Sequence, residues 1–516
     1  MALIYSRQMV DNGFNTKRIA KNTIVLYLRS IIIMMIALYT SRIVLKGLGV
    51  EDYGLYNVVG GVVSLFAFLR TSLAKSTQRF LNIEMGKPNG RVAEIFKVAM
   101  TLHICIAVII FILAETVGLW FLNYYINIPQ GREFAANIIY QSTIVSLLES
   151  VLVVPYTASI IANEDMRFFA VVSIIESVLK LVVAILITIT SFDHLVVYGV
   201  LLSIVSIIDI LLYIVYCRYK FEEAKFGLSF DRYLLRQITG YTSWNILGYS
   251  SVVAAKQGNN ILLNIYHSVV ANAAMGVANQ VNSAFTTFTG NFQTAFNPQI
   301  TKSYAAGDYS YLKTLVFASS KISFFLITIM SLPIIFNMES VLEIWLTEVP
   351  QYASVFCVLV LCDKILDVLS TPLNYLILST SNIRNYQILS SCIYFSDPII
   401  VLLFFIAGSD AYYALIVKIF IMILILFLRI HYSNKVIDSI NIVSYSKQVL
   451  IPITLSLILT LVVGWIMFHF STTLVMHLLS TIILFFCSVG CAYLIGLSAD
   501  ERLQVQNMVR KKLKNI

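Results

Sequence analysis

Two cationic side chains lie inside otherwise apolar stretches of this sequence, and both are suited to bind an anion. Arg29 falls about a third of the way into the first apolar stretch, and Lys256 lies near the middle of the seventh. A guanidinium fork matches the geometry of phosphate oxygens, and an ammonium group attracts them as a point charge. If these stretches cross a membrane, each cation predicts a polar cavity that holds an anion. Snorkelling of Arg29 to the headgroups is the alternative.

Amide and hydroxyl side chains follow the two cations at helical spacing. Asn22 and Thr40 share the helical face of Arg29, and Asn245, Tyr249 and Asn260 share that of Lys256. The eighth stretch carries Asn272 and Asn279 on one face. Amides both donate and accept hydrogen bonds, as sugar hydroxyls require. The alternative is hydrogen bonding between packed helices. The substrate-binding residues predicted from this pattern are Arg29, Asn245, Tyr249, Lys256, Asn260, Asn272 and Asn279.

Carboxylates in the apolar stretches form a second candidate set. Glu176 and Lys180 are one helical turn apart, which predicts an ion pair. Carboxylates inside a membrane can also bind and release protons, so they can couple transport to an ion gradient. A purely structural role is the alternative for each of them. The candidates for ion coupling are Glu176, Asp209, Asp363, Asp367 and Asp397.

The composition predicts the elements that position these residues. The chain has 516 residues, of which 59% are hydrophobic and 12% charged, and its mean hydropathy is +0.83. Crossing a bilayer takes roughly 20 apolar residues as a helix, because the backbone must satisfy its own hydrogen bonds. The sequence therefore predicts an all-α polytopic membrane protein of about fourteen spans. Their limits are 23–45, 52–73, 92–120, 135–160, 168–190, 195–217, 237–264, 269–297, 315–337, 351–378, 384–408, 411–432, 449–470 and 473–497.

The basic residues orient these spans. Of the 36 Lys and Arg residues, 25 fall in every second loop and three in the other loops. Basic loops stay in the cytoplasm, so both termini are predicted to be cytoplasmic. The formal net charge of +9 is dispersed over many short loops, which argues against nucleic-acid binding. All seven cysteines lie in or beside apolar stretches, so no disulfides are expected.

The spans fall into two sets with a polar segment between them. We predict an N-terminal lobe of six spans over 1–217, an interfacial linker over 218–236 and a C-terminal lobe of six spans over 237–432. Two additional spans and a basic tail fill 433–516. A faint repeat at a shift of 222 residues, which aligns Gly54 with Gly276, suggests two related lobes around a central cavity. No phosphate loop, metal-ligand spacing or Ser/His/Asp arrangement is evident, so no enzyme, metal or cofactor is predicted.

Residues 22–69 resemble the N-terminal region of Wzx-type O-antigen and polysaccharide flippases of the multidrug/oligosaccharidyl-lipid/polysaccharide (MOP) exporter superfamily. The segments that carry the resemblance are SRIVLKGLGVEDYGLYN and the following loop STQRFLNIEMGK. The resemblance implies a MATE-like fold in the bacterial inner membrane. It also implies transfer of an undecaprenyl-diphosphate-linked oligosaccharide from the cytoplasmic to the periplasmic leaflet by alternating access.

Such proteins have cationic cavities, and Arg42 is a third candidate residue on that ground. The implied partners are membrane lipid and the machinery that polymerises or ligates the glycan, and the implied state is a monomer. A cation-coupled drug antiporter and an integral-membrane glycan polymerase or transferase are the alternative functions. Drug exporters of the superfamily use a membrane-embedded acid in the N-terminal lobe, whereas the first stretch here offers Arg29 and no acid.

Overall fold

The structure is a computed structural model, and it is built from helices and short connections. It describes residues 22–37, 39–44, 46–49, 52, 55–56, 67–87, 90–125, 128, 130–267, 269–345, 349–470, 473–498 and 501–503. In these residues the predicted all-α fold is confirmed. The helices, in chain order, are α1 Asn22–Gly49, α2 Ala67–Met85, α3 Val92–Leu113, α4 Leu119–Tyr125, α5 Glu133–Leu152, α6 Val154–Ala162, α7 Met166–Ile189, α8 His194–Lys220, α9 Arg232–His267, α10 Val269–Ala305, α11 Tyr309–Phe336, α12 Met338–Trp345, α13 Ala353–Ser379, α14 Arg384–Ile406, α15 Tyr413–Val436, α16 Ile442–Tyr445, α17 Ile451–Phe470 and α18 Leu474–Cys491.

Ten helical segments of the described residues are long and apolar enough to cross a bilayer. The long helices α9, α10 and α13 are not among them, although predicted spans fall on all three. They have 36, 37 and 27 residues, so their length suffices, but they carry many polar or charged side chains. Such helices need protein neighbours or water around their polar faces. The candidate binding residues lie mainly on these helices, and the count of about fourteen spans stays a prediction.

The chain divides into two compact units. The N-terminal unit is Arg18–Ile246, and the C-terminal unit contains Leu247–Ile516. The boundary lies inside α9, so this one helix contributes to both units. The lobe limits predicted from the sequence stay a prediction.

In the N-terminal unit, α5 packs against α8 in a parallel arrangement, and the contacting residues are about 60 positions apart in the sequence. Arg132, just before α5, pairs with Asp193 at the N-cap of α8. Further along, the hydroxyl groups of Ser146 and Ser206 lie 2.9 Å apart. Beyond α5, the amide of Asn163 donates to Glu223 at 3.1 Å. The contact is close because Gly199 has no side chain: a Cβ there would lie 2.9 Å from Ile139.

The predicted linker 218–236 has little helix of its own. After α8 ends at Lys220, Glu222–Ala224 forms a single 3-10 turn. The following segment is attached to α3, because the Ser229 amide donates to the Thr101 hydroxyl at 3.1 Å. Phe226 and Phe230 are 65% and 69% exposed. Exposed aromatic rings among basic residues fit the predicted position at the membrane surface, where such rings are enriched.

The C-terminal unit is organised around α13, which packs against α10, α11 and α15. The hairpin of α17 and α18 packs against α11, where the Asn337 amide donates to Thr481 at 2.9 Å and accepts from His477 at 2.7 Å. At the end of the described chain, Glu501 forms an ion pair of 2.6 Å with Lys321, whose side chain is 6% exposed. Glu501 also forms a capping box with Ser498, whose amide donates to the Glu501 carboxylate at 2.8 Å. The segment after α18 is therefore fixed to α11.

Candidate functional site

A pocket of about 610 Å³ lies between α9 and α10, entirely within the C-terminal unit. From α9, Gln257, Asn260 and Asn264 line it, together with Ile261 and Ile265. The α10 side contributes Met275, Gly276 and Asn279. The α9 residues recur every three or four positions and therefore share one helical face. Four amides and no charged side chain line this pocket among the residues that the structure describes, and we call it the amide pocket.

Lys256 precedes the first lining residue of the amide pocket. Its side chain is exposed, and no carboxylate of the described residues forms an ion pair with it. The charged group that acts on it is the ammonium of Lys418, which repels it. An exposed ammonium group with a like charge nearby gains from an anionic ligand, since the ligand supplies the missing countercharge.

The carboxylates of the C-terminal unit are engaged away from the amide pocket lining, in a network between α13, α14 and α15. Asp363 accepts from Lys418 at 2.8 Å, and Asp367 accepts from Lys364 at 2.9 Å. Asp397 accepts from the amide of Asn259 at 3.0 Å. The sequence predicted Asp363, Asp367 and Asp397 as separate candidates for ion coupling. The structure gives each of them a partner within the unit, and their role in coupling stays a prediction.

Arg429 completes this network and corrects one element of the sequence interpretation. The sequence pattern counted Arg429 as an inner-loop residue, but it lies within α15 and is 7% exposed. Its guanidinium donates to the Ser370 hydroxyl at 2.5 Å and lies 3.6 Å from Asp367. Charge counting assigned this residue to a loop because it lies only three residues before the end of the predicted span 411–432, whereas α15 continues to Val436.

The predicted charged site residues of the N-terminal unit lie on α1, α7 and α8. The Arg29 guanidinium lies 4.6 Å above the ring of Phe169, and the charge of Glu176 acts on it. Its Nε is buried without a hydrogen-bond partner. Glu176 and Lys180 form the predicted ion pair at 2.5 Å. Arg29 therefore faces α7, and its guanidinium retains hydrogen-bonding capacity for a ligand.

Asp209 lies opposite an acid that the sequence interpretation missed. The register of α5 and α8 places Glu149 against Asp209, three residues beyond the contact of Ser146 with Ser206, and the two carboxyl groups face each other. One oxygen of each carboxyl group is buried without a hydrogen-bond partner. Glu149 is an acid inside a predicted span, and that signal was available in the sequence.

The other predicted binding residues do not all lie in the same place in the structure. Asn260 and Asn279 line the amide pocket, but Asn245 is 0% exposed and donates to Ser76 at 3.1 Å. Asn245 is thus a helix-packing residue, which was the alternative for this pattern. Tyr249 is half-buried, and Arg42 is exposed on α1. The side chain of Asn272 lies outside the described residues. Gln257 and Asn264 were missed, although both are amides at helical spacing from Asn260.

No family model and no curated protein sequence matches the chain. Solved structures do match. A multidrug resistance MATE family transporter of the MOP superfamily, in an outward-facing conformation, matches with a TM-score of 0.68 at 14% identity, over 83% of this chain and 96% of that chain. A MOP superfamily transporter from Pyrococcus furiosus, whose binding pocket is described as having reverse polarity, matches with a TM-score of 0.67 at 13% identity over the same shares. A MATE protein in a straight conformation matches with a TM-score of 0.66 at 13% identity, over 83% of this chain and 97% of that chain. The chain therefore has the fold of MATE family transporters of the MOP superfamily.

Proposed function

We propose that this protein is a flippase that moves an undecaprenyl-diphosphate-linked oligosaccharide from the cytoplasmic to the periplasmic leaflet of a bacterial inner membrane. The observation that carries the proposal is a pocket lined by amides whose first lining residue, Gln257, directly follows Lys256 in the sequence. Lys256 is an exposed cation without a carboxylate ion-pair partner in the described chain. An anion bound by Lys256 and a polyhydroxyl group bound by the amide pocket together describe a diphosphate that bears sugars.

Moving the substrate across the membrane requires charge and hydrogen bonds, which these side chains can provide. A diphosphate and a polar glycan must pass about 30 Å of hydrocarbon, and neither enters it without compensating charge and hydrogen bonds. Lys256 supplies charge in the C-terminal unit, and Arg29 supplies it in the N-terminal unit. The polyisoprenyl tail needs no such support, because it is as apolar as the lipid around it.

The fold and the sequence resemblance support the same function. The solved structures with this fold are transporters by their descriptions, which favours transport over glycan polymerisation or transfer. We propose alternating access as the mechanism and a proton gradient as the energy source, with the carboxylates of both units as the coupling groups. The proposed partners are membrane lipid and the machinery that polymerises or ligates the glycan.

A cation-coupled drug antiporter is the second candidate, and one observation favours it. Glu149 and Asp209 place two facing acids inside the N-terminal unit, where an organic cation or a proton can bind. The amide pocket argues against it, because none of its described lining residues is a carboxylate that would attract a cation.

Translocation in proteoliposomes tests the proposal. The substrate is fluorescent undecaprenyl-diphosphate-linked oligosaccharide, with and without a proton gradient, and ethidium uptake is measured in parallel. We expect protein-dependent flipping, and at least a tenfold lower rate for Lys256→Ala and for Arg29→Ala, since a hydrogen bond to a charged group contributes about 1.5–3 kcal/mol. Lys220→Ala is the matched control, because Lys220 is an exposed lysine at the end of α8.

The results separate the two candidates. Flipping that both binding-site substitutions leave intact would refute the cationic mechanism. Ethidium transport without any lipid flipping would replace the proposal with the antiporter. Gradient-dependent flipping that Asp209→Asn abolishes would assign proton coupling to the N-terminal unit.

A further inference from the structure

The lining of the amide pocket extends along α9, starting next to Lys256. Its α9 lining begins at Gln257, directly after Lys256, and ends at Ile265. The amides from Gln257 to Asn264 extend over about 10 Å, since each helical residue rises 1.5 Å. Asn279 adds an amide from the facing helix. A ligand whose anion is bound at Lys256 would therefore meet three to four amides in succession along its length.

We propose that the amide pocket binds the uncharged, hydroxyl- or acetamido-bearing sugars that are attached next to the diphosphate. This inference rests on the proposed function and adds the class of sugar that the site accepts. Each amide offers two N–H donors and one carbonyl acceptor, which matches a sugar hydroxyl that both donates and accepts. Ile261, Ile265 and Met275 supply apolar surface for the C–H faces of the sugar rings.

The described lining of the pocket carries no charge, and this makes the pocket selective for uncharged sugars. A uronic or sialic acid in this position would bring a second anion into a pocket whose described lining has no cation, and desolvating that anion without a partner is costly. An organic cation would likewise find no carboxylate. Uncharged sugars carry only groups that the four amides can satisfy.

The size of the pocket agrees with a short oligosaccharide segment. A volume of about 610 Å³ lies within the range of pockets that enclose small organic ligands. Gly276 contributes space at the α10 side, because a Cβ at this position would contact no neighbouring atom. The Asn260 amide donates to Gln257 at 3.0 Å, which orients these two amides relative to each other.

Binding of two probes to the full chain in nanodiscs tests the inference. One probe is undecaprenyl diphosphate, and the other is undecaprenyl diphosphate that bears one N-acetylglucosamine. We expect the sugar to tighten binding at least tenfold, which corresponds to one or two net hydrogen bonds. Asn264→Leu should remove most of this gain, so it should weaken binding of the sugar-bearing probe more than binding of undecaprenyl diphosphate. Asn264 is exposed, so the protein tolerates the substitution, and Asn264→Gln should restore part of the gain.

Gln280→Leu is the matched control, because Gln280 is an exposed amide on α10 that does not line the pocket. Equal binding of the two probes would overturn the inference and leave the proposed flippase standing. An equal effect of Asn264→Leu and Gln280→Leu would also overturn it. Binding of neither probe would refute the proposed function, and the inference with it.

Discussion

The ion pair of Lys418 with Asp363 gives a stability prediction. The prediction distinguishes a structural role of Asp363 from a role in ion coupling. Asp363 is 5% exposed, its Oδ2 lies 2.8 Å from the Lys418 ammonium, and its Oδ1 is buried without a partner. Lys418→Met therefore leaves a buried carboxylate with no ammonium at hydrogen-bonding distance. Breaking a buried pair in this way costs about 3–5 kcal/mol, whereas replacing both partners by apolar residues is often nearly neutral.

The loss of unfolding free energy in Lys418→Met has an upper bound. The folded variant can avoid burying the charge by taking up a proton on Asp363. At pH 7 this costs about 4 kcal/mol, since an aspartate normally loses its proton near pH 4 and each pH unit corresponds to about 1.4 kcal/mol. The expected destabilisation of Lys418→Met is therefore about 3–4 kcal/mol at pH 7, and its upper bound falls to about 3 kcal/mol at pH 6.

The assay is the unfolding free energy of the purified protein, measured at both pH values for wild type, Lys418→Met, Asp363→Leu and the double variant. We expect the double variant to be within about 1 kcal/mol of wild type. A double variant as unstable as the sum of the two single variants would refute the reasoning, because it would mean that the two side chains act independently. A stable double variant that still transports its substrate would exclude Asp363 as a coupling residue.

Two further predictions concern the ends of the helices. Asp193 caps α8 and pairs with Arg132. Burial alone would raise the pKa of Asp193. Hydrogen bonds from the Val196 amide and from Arg132 outweigh this effect and hold the pKa below its ordinary value. Its contribution is therefore present above the unfolded pKa of about 4 and is lost as the pH falls through the lower folded value. We expect Asp193→Asn, which keeps a capping side chain but loses the charge that pairs with Arg132, to lower the unfolding free energy by about 0.5 kcal/mol at pH 7. The difference should shrink below pH 4 in thermal unfolding scans, and a constant difference would contradict this. Glu501→Gln should leave the buried Lys321 without its ion-pair partner and increase proteolysis after α18, whereas unchanged cleavage would mean that this pair does not fix the segment.

The sequence predicted the helices well because bilayer length and apolar runs determine them. It predicted the ion pair of Glu176 with Lys180 because both partners lie on one helix at fixed spacing. It did not predict that Glu149 faces Asp209, or that Arg429 binds Ser370. Those contacts depend on which helices are neighbours and on their register, and periodicity within one helix carries no such information.

The amide pocket was predictable only in part, for the same reason. The sequence placed Asn260 and Asn279 among the binding residues, and both line the pocket. It placed Asn245 there as well, although this residue contacts Ser76. An amide that faces a ligand and an amide that faces another helix have the same spacing, so the sequence does not distinguish them.

The parallel packing of α5 and α8 also has a mechanical consequence. Its contacts extend from Arg132 with Asp193 to Asn163 with Glu223, about 45 Å apart at the rise of a helix. Sliding one helix by a turn would break all of these contacts at once. A partly shifted helix would lose the same contacts and form no new ones. We therefore expect α5 and α8 to move together as one unit and not to slide past each other.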